Sequence, residues 1–174
     1  METKLLEGSL NPVNVARVVK HNREFYASHP GYFRPEGLLV FCGEQGSGKT
    51  LSAVQYVKKL CAEYPAAILC TNVQIDGLPE ETEVVEYDGL NCLKTLENGY
   101  YGVIYLIDEI HLEFNSLESK NIDIEVMIEV SQQRKQRKHI IGTSQVYGRL
   151  AKPFREQIRN VVLCSNFCRV LQIN

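Results

Sequence analysis

No part of this chain has fewer structural solutions than Gly43-Glu44-Gln45-Gly46-Ser47-Gly48-Lys49-Thr50, which matches GxxxxGK[ST] without a substitution. The motif works only between a strand, which aims the loop, and a helix, whose positive end faces an anion. Both flanks are present. Leu38 to Cys42 is a continuous apolar run of strand length, and Thr50 to Glu63 places Leu51, Val54, Val57, Lys58 and Cys61 on one packed face before Pro65 stops the helix. The glycines let the backbone N–H groups of Gly43, Glu44, Gln45, Gly46, Ser47 and Gly48 turn inward around phosphate oxygens, and those of Lys49, Thr50 and Leu51 open the helix behind them. The Lys49 ammonium then reaches the β- and γ-phosphates of a nucleotide such as ATP, and the Thr50 hydroxyl ligates a bridging Mg²⁺ ion.

A second constellation completes the first. Val103-Ile104-Tyr105-Leu106-Ile107 reads as a buried parallel strand that delivers Asp108 and Glu109 to the carboxyl edge of a sheet, beside the loop. There Asp108 would hold the magnesium through water, and Glu109, on the other side of the strand end, would orient or deprotonate the attacking water. At a merely solvated strand end the same pair would do no chemistry, so its place in space decides. His111 is expected to pack or make a polar contact rather than touch phosphate. Thr143-Ser144-Gln145 ends the strand expected beside the acidic one, where the Gln145 amide can bond both water and γ-phosphate, or else serve as a turn residue.

Arg134-Lys135-Gln136-Arg137-Lys138-His139 concentrates positive charge at the end of a helix expected over 122–137. Cations favour a helix C-terminus through its dipole, so a solvated cap is one reading. In the other, Arg134 or Arg137, or Arg149, Arg155 or Arg159 further on, enters a neighbouring subunit's nucleotide site as an arginine finger, while the lysines contact DNA phosphates. That second role requires a homo-oligomer.

The remaining chain is consistent with one α/β domain. Its 174 residues are 44% hydrophobic and 23% charged, which excludes intrinsic disorder, and the net charge of −2 excludes a globally basic polyanion binder. Asn11-Pro12 caps an N-terminal helix, and a breaker-rich loop over 29–37 follows; its Tyr32, Phe33 and Arg34 either stack on a base or cover the core. Further strands are expected over 66–73, 83–87 and 139–144, with a short helix over 153–158. Val161 to Cys164 and Phe167 to Ile173 would form a closing hairpin through Ser165-Asn166. The expected architecture is a P-loop NTPase three-layer α/β/α domain over 1–174 with a mainly parallel central sheet: helix and loop in 1–37, core in 38–164, hairpin in 161–173. Six cysteines without a CxxC pair read as reduced, packed thiols rather than metal ligands. No apolar stretch approaches a membrane span, so a cytoplasmic location is expected.

Gly43 to Thr50, Thr71-Asn72 ending the second strand, Leu106-Ile107-Asp108-Glu109, and Thr143-Ser144-Gln145 after an Arg-rich helix together resemble the zonula occludens toxin-like ATPases of bacteriophages, within the FtsK/HerA class of DNA motors. The resemblance spans about Leu38 to Cys164. It implies an ATPase with Lys49, Thr50, Asp108, Glu109 and Gln145 in the roles above, and Arg134 or Arg137 where such motors often supply a finger. It further implies ring assembly around double-stranded DNA and work in genome packaging or virion export, with capsid or portal proteins as partners. FtsK-type chains usually continue Thr-Gln-Arg-Pro, whereas Val146-Tyr147-Gly148-Arg149 follows Gln145 here. Filamentous-phage members typically add a membrane segment, which makes a packaging motor the expectation over an export ATPase. A nucleotide-binding assembly factor without turnover is the alternative outside the motors. A small-molecule kinase would need an Arg-rich lid and a GTPase an NKxD-like motif; neither is present.

Overall fold

Leu38–Cys42 and Val103–Ile107 are buried along their whole length, and their side chains alternate between two cores because strand residues point to opposite faces. Leu38, Val40, Cys42, Val103, Tyr105 and Ile107 face one core, while Leu39, Phe41, Ile104 and Leu106 face the other. An uninterrupted apolar run is thus what a strand covered on both sides requires. The computed structural model describes residues 11–34, 36–96, 100–118 and 122–165.

The chain divides into two compact units, Met1–Tyr32 and Phe33–Asn174. In the first, helix α1 (Pro12–Ser28) starts as the sequence predicts: the Asn11 side chain accepts a hydrogen bond from the Val13 amide at 3.0 Å, and Pro12 occupies the first turn. Its Phe25 ring stacks on His29, 4.4 Å between centroids.

The second unit runs β1 (Leu38–Cys42), α2 (Lys49–Glu63), β2 (Ile68–Thr71), β3 (Val84–Glu86), α3 (Cys92–Thr95), β4 (Val103–Ile107), α4 (Ile124–Gln132), β5 (Lys138–Ser144), α5 (Lys152–Arg155) and β6 (Ile158–Leu163). The six strands form one sheet in the order β3-β2-β4-β5-β1-β6, and every pairing is parallel. Ala53, Val57 and Cys61 of α2 fill one core, and Val126, Val130 and Phe154 of α4 and α5 fill the other. This is the expected three-layer α/β/α arrangement.

Several expectations are corrected in detail. The packed face of α2 is Ala53-Val57-Cys61 rather than one including Leu51, whose side chain is 72% exposed. Helix α4 ends at Gln132, five residues before Arg137. Arg137 has a left-handed φ of 55°, its carbonyl accepts from the Val103 amide, and the chain enters β5 at Lys138. Residues 161–163 belong to β6, which lies parallel to β1; residues 166–173 of the expected hairpin fall outside the described residues. Phe33 is 1% exposed and packs edge-on against Tyr64 at 5.0 Å, so it covers the core and cannot stack on a base.

Candidate active site

β5 lies between β1 and β4 and is hydrogen-bonded to both, in a register that pairs Cys42 with Ser144 and Ile107 with Gly142. The residues that follow these strands, Gly43, Asp108 and Gln145, therefore emerge together at one carboxyl edge. The loop leaves β1 at Gly43, whose amide donates to the Ser144 carbonyl at 3.2 Å. A side chain at position 43 would collide with the Cys164 carbonyl and the Ser47 hydroxyl, so only glycine permits this close approach. Gly48, with φ of 81°, turns the chain into α2 without a side-chain cap, leaving the first-turn N–H groups of Lys49, Thr50 and Leu51 to a ligand. The exposed Leu51 offers its backbone, not its side chain, to such a ligand.

Lys49 is 6% exposed, and its Nζ lies 3.5 Å from Glu109 Oε1. The Thr50 hydroxyl donates to Asp108 Oδ1 at 2.9 Å, and Thr143 donates to the same oxygen at 2.6 Å. The Thr143 oxygen in turn accepts the Glu109 amide at 2.9 Å. Asn72, just beyond β2, closes a two-bond ring on the Asp108 peptide: its Oδ1 accepts from the Asp108 amide at 2.8 Å and its Nδ2 donates to the Asp108 carbonyl at 3.2 Å. Thr143 and Asn72 hold the turn in which Glu109 adopts a left-handed φ of 54°, a conformation costing about 1–3 kcal/mol outside glycine. The kink sends Asp108 toward Thr50 and Glu109 toward Lys49.

Gln145 Nε2 donates to Glu109 Oε1 at 3.4 Å. His111 is buried, as expected of a packing residue, and its Nδ1 lies 3.1 Å from Glu109 Oε2 without hydrogen-bond alignment. One carboxylate thus collects a lysine, an amide and an imidazole. Ser47 Oγ, also buried, has no hydrogen-bond partner among the described residues. A cavity of about 540 Å³ opens beside the loop, lined in part by Gly43, Glu44, Ser47, Gln145, Val146 and Tyr147.

Thr50 and Asp108 present two hard oxygens within one hydrogen bond of each other. That donor set suits Mg²⁺, which binds few protein groups and completes its shell with phosphate oxygens and water. Among the described residues no group of three or more His, Cys, Asp or Glu side chains is placed to hold a metal. Cys61 and Cys70 are not reactive alternatives: burial pushes the Cys61 thiol up to about 11 and Cys70 up to about 12, which keeps both protonated.

Arg134 and Arg137 do not reach this site in their own chain. They precede β5 and lie at the amino edge of the sheet, where Arg134 packs beside Gly37 ahead of β1 and Arg137 Nη1 donates to the Tyr100 carbonyl at 3.4 Å. Lys138 is buried, with its Nζ 2.6 Å from the Leu93 carbonyl and 2.9 Å from Glu129 Oε2, so it serves packing. At the carboxyl edge, among the described residues, Arg149 is exposed and lines a cavity with His111; Arg155 sits 5.8 Å over the Tyr147 ring.

Asn72 and Thr143, part of the strand-end motifs that carry the resemblance, were given no role from the sequence; the structure shows them bonding Asp108 and the Glu109 amide. Their position at a strand end, one residue past β2 and two before Gln145, was the available signal.

No protein-family model matches the sequence, and no curated protein matches it. Solved structures do. The genome packaging NTPase B204 from Sulfolobus turreted icosahedral virus 2, in complex with ATP-gammaS, is similar at a TM-score of 0.57 and 16% identity over 74% of each chain. Its complex with AMP gives a TM-score of 0.59 at 16% identity over 74% of this chain and 75% of that one. The N-terminal domain of zonular occludens toxin from Neisseria meningitidis gives a TM-score of 0.53 at 17% identity, over 76% of this chain and 78% of that one. At these identities the likeness is one of fold: the second unit has the α/β fold of P-loop NTPases.

Proposed function

We propose that the protein is a Mg²⁺-dependent ATPase that acts on DNA as a ring-forming motor in viral genome packaging or virion assembly. One observation carries the hydrolytic part: Lys49, Thr50, Asp108, Glu109 and Gln145, from three different strand ends, meet within hydrogen-bond or ion-pair distance at the mouth of the loop. The motor part rests on the shared fold with a genome packaging NTPase and a zonular occludens toxin domain, and on the exposed cations of the second unit.

The residues divide the work. The loop amides and Lys49 bind the β- and γ-phosphates. As Lys49 turns to the phosphates it releases Glu109, whose carboxylate orients water for in-line attack and takes its proton. Gln145 holds Glu109 and the water together. Magnesium, held by Thr50 and Asp108, would offset the charge of the phosphates. A finger in trans would come from Arg134 or Arg137 at the far edge of the sheet, or from Arg149, which is exposed beside this site.

ATP hydrolysis by purified protein, measured with nucleotide binding, tests the reading. Lys49→Ala is expected to lose both. Glu109→Gln is expected to keep binding while hydrolysis falls about 10²–10⁴-fold, the usual contribution of a positioned base. Equal turnover by wild type and Glu109→Gln removes Glu109 from its role, and binding without turnover in the wild type favours an assembly factor.

A further inference from the structure

The amino edge of the sheet, opposite the phosphate loop, gathers cations that no packing need explains. Around Gly37, immediately before β1, the Cδ of Arg134 and the Cβ and Cδ of Arg159 all approach within 3.5–3.6 Å of where a glycine side chain would begin. Two guanidinium stems from the α4–β5 turn and from β6 therefore lie side by side. Lys135 is the next residue in the same turn and is exposed. Arg159 also lines a cavity of about 750 Å³ between α2 and β6, shared with Lys59, Tyr56, Gln55 and Glu36. None of the phosphate-loop residues lines it.

Among the described residues no carboxylate lies within ion-pair distance of Arg134, Lys135, Arg159 or Lys59, and all four are exposed. Arg159 donates to a neutral acceptor, the Glu36 carbonyl, at 2.6 Å. Glu36 and Glu63 are the acidic side chains near Tyr56 on this flank. In a chain of net charge −2, four mutually unneutralised cations on one edge repel each other, and a bound polyanion relieves that repulsion.

We infer that this edge, through Arg134, Lys135, Arg159 and Lys59, binds the phosphate backbone of double-stranded DNA without reading its sequence. The reasons lie in the elements involved. The four cations come from a turn, an edge strand and a helix flank, so no helix or ribbon is presented as a unit to a groove, and long flexible stems match phosphates rather than base edges. The inference rests on the DNA-acting part of the proposed function, and it places DNA at the opposite end of the sheet from the nucleotide. It also separates the basic stretch by role, since Lys138 is committed to Glu129.

The test is equilibrium binding of the nucleotide-free full chain to unrelated 30-base-pair duplexes across 50–200 mM salt, followed by anisotropy. The wild type is expected to bind both duplexes alike with a linear fall of log K with log salt. Arg134→Gln/Arg159→Gln is expected to reduce that slope by about 2, at about 0.9 per phosphate contact, and to weaken binding at least about tenfold. Lys152→Gln, which removes one exposed cation elsewhere, is expected to stay within about twofold. Circular dichroism and thermal unfolding check that each variant is folded. No duplex binding at 50 mM salt, a double variant indistinguishable from Lys152→Gln, or tighter binding to single-stranded RNA each overturns the inference. The assay needs no hydrolysis, so its failure is distinct from failure of the Lys49 and Glu109 variants, which reports on the nucleotide site alone.

Discussion

Thr143 does at the scale of one residue what no pattern in the sequence announces. Its hydroxyl donates to Asp108 and accepts from the Glu109 amide, so one oxygen ties the proposed cation ligand to the proposed base. Thr143→Val preserves shape but leaves both groups short of a partner, at about 1–3 kcal/mol for the buried ones. The expected outcome is a kcat lowered about tenfold or more and a raised magnesium requirement in steady-state assays, with recovery in Thr143→Ser. The phosphate loop and the acidic pair were legible from sequence because their chemistry is local: a glycine pattern between strand and helix, two carboxylates closing an apolar run. Asn72 and Thr143 were not, because they meet Asp108 across 36 and 35 residues of chain, and nothing but strand order brings them there.

Some elements bounded by breakers or by a change of polarity read closely, whereas the strand expected over 66–73 is only Ile68–Thr71 and the helix expected over 153–158 is Lys152–Arg155. β1 and β4 match their apolar runs residue for residue, and α2 runs to Glu63 ahead of Pro65. The α4 reading ran on because Gln133 to Arg137 carries neither Gly nor Pro. The helix ends through the backbone of Arg137 and the burial of Lys138, a tertiary choice. Lys138 is the energetic hinge of that choice. Burial opposes ionisation of Glu129, yet the hydrogen bonds from Lys138 and Gln136 and the Lys138 charge together outweigh it and hold the Glu129 carboxyl below its ordinary range. Lys138→Met strips a partner from Glu129 and from the Leu93 carbonyl. Because Glu129 still reaches solvent, the expected loss is about 2 kcal/mol in urea unfolding, smaller than for a fully buried pair. Adding Glu129→Gln is expected to restore at least half of it.

Across the whole molecule, stability should track the protonation of one buried ring. His139, the second residue of β5, contacts the Tyr56 hydroxyl at 3.2 Å and is driven down to about 4 by burial, with the Arg159 charge adding to the effect. As pH falls through 6.5 the unfolded chain takes up a proton that the folded chain refuses until about 4. This contribution is therefore complete above pH 6.5 and lost between 6.5 and 4. Between pH 7 and 5 the loss is expected to be about 2 kcal/mol in denaturant titrations, and His139→Gln should flatten that slope. The sheet order has a consequence for how the molecule is made. β1, the strand that carries the phosphate loop, has only β5 and β6 as neighbours, and both are encoded after residue 137. On a translating ribosome the first strand of the core emerges early and then waits, unpaired and apolar, until the residues beyond 137 follow it out, a window in which an unshielded apolar run is exposed to aggregation.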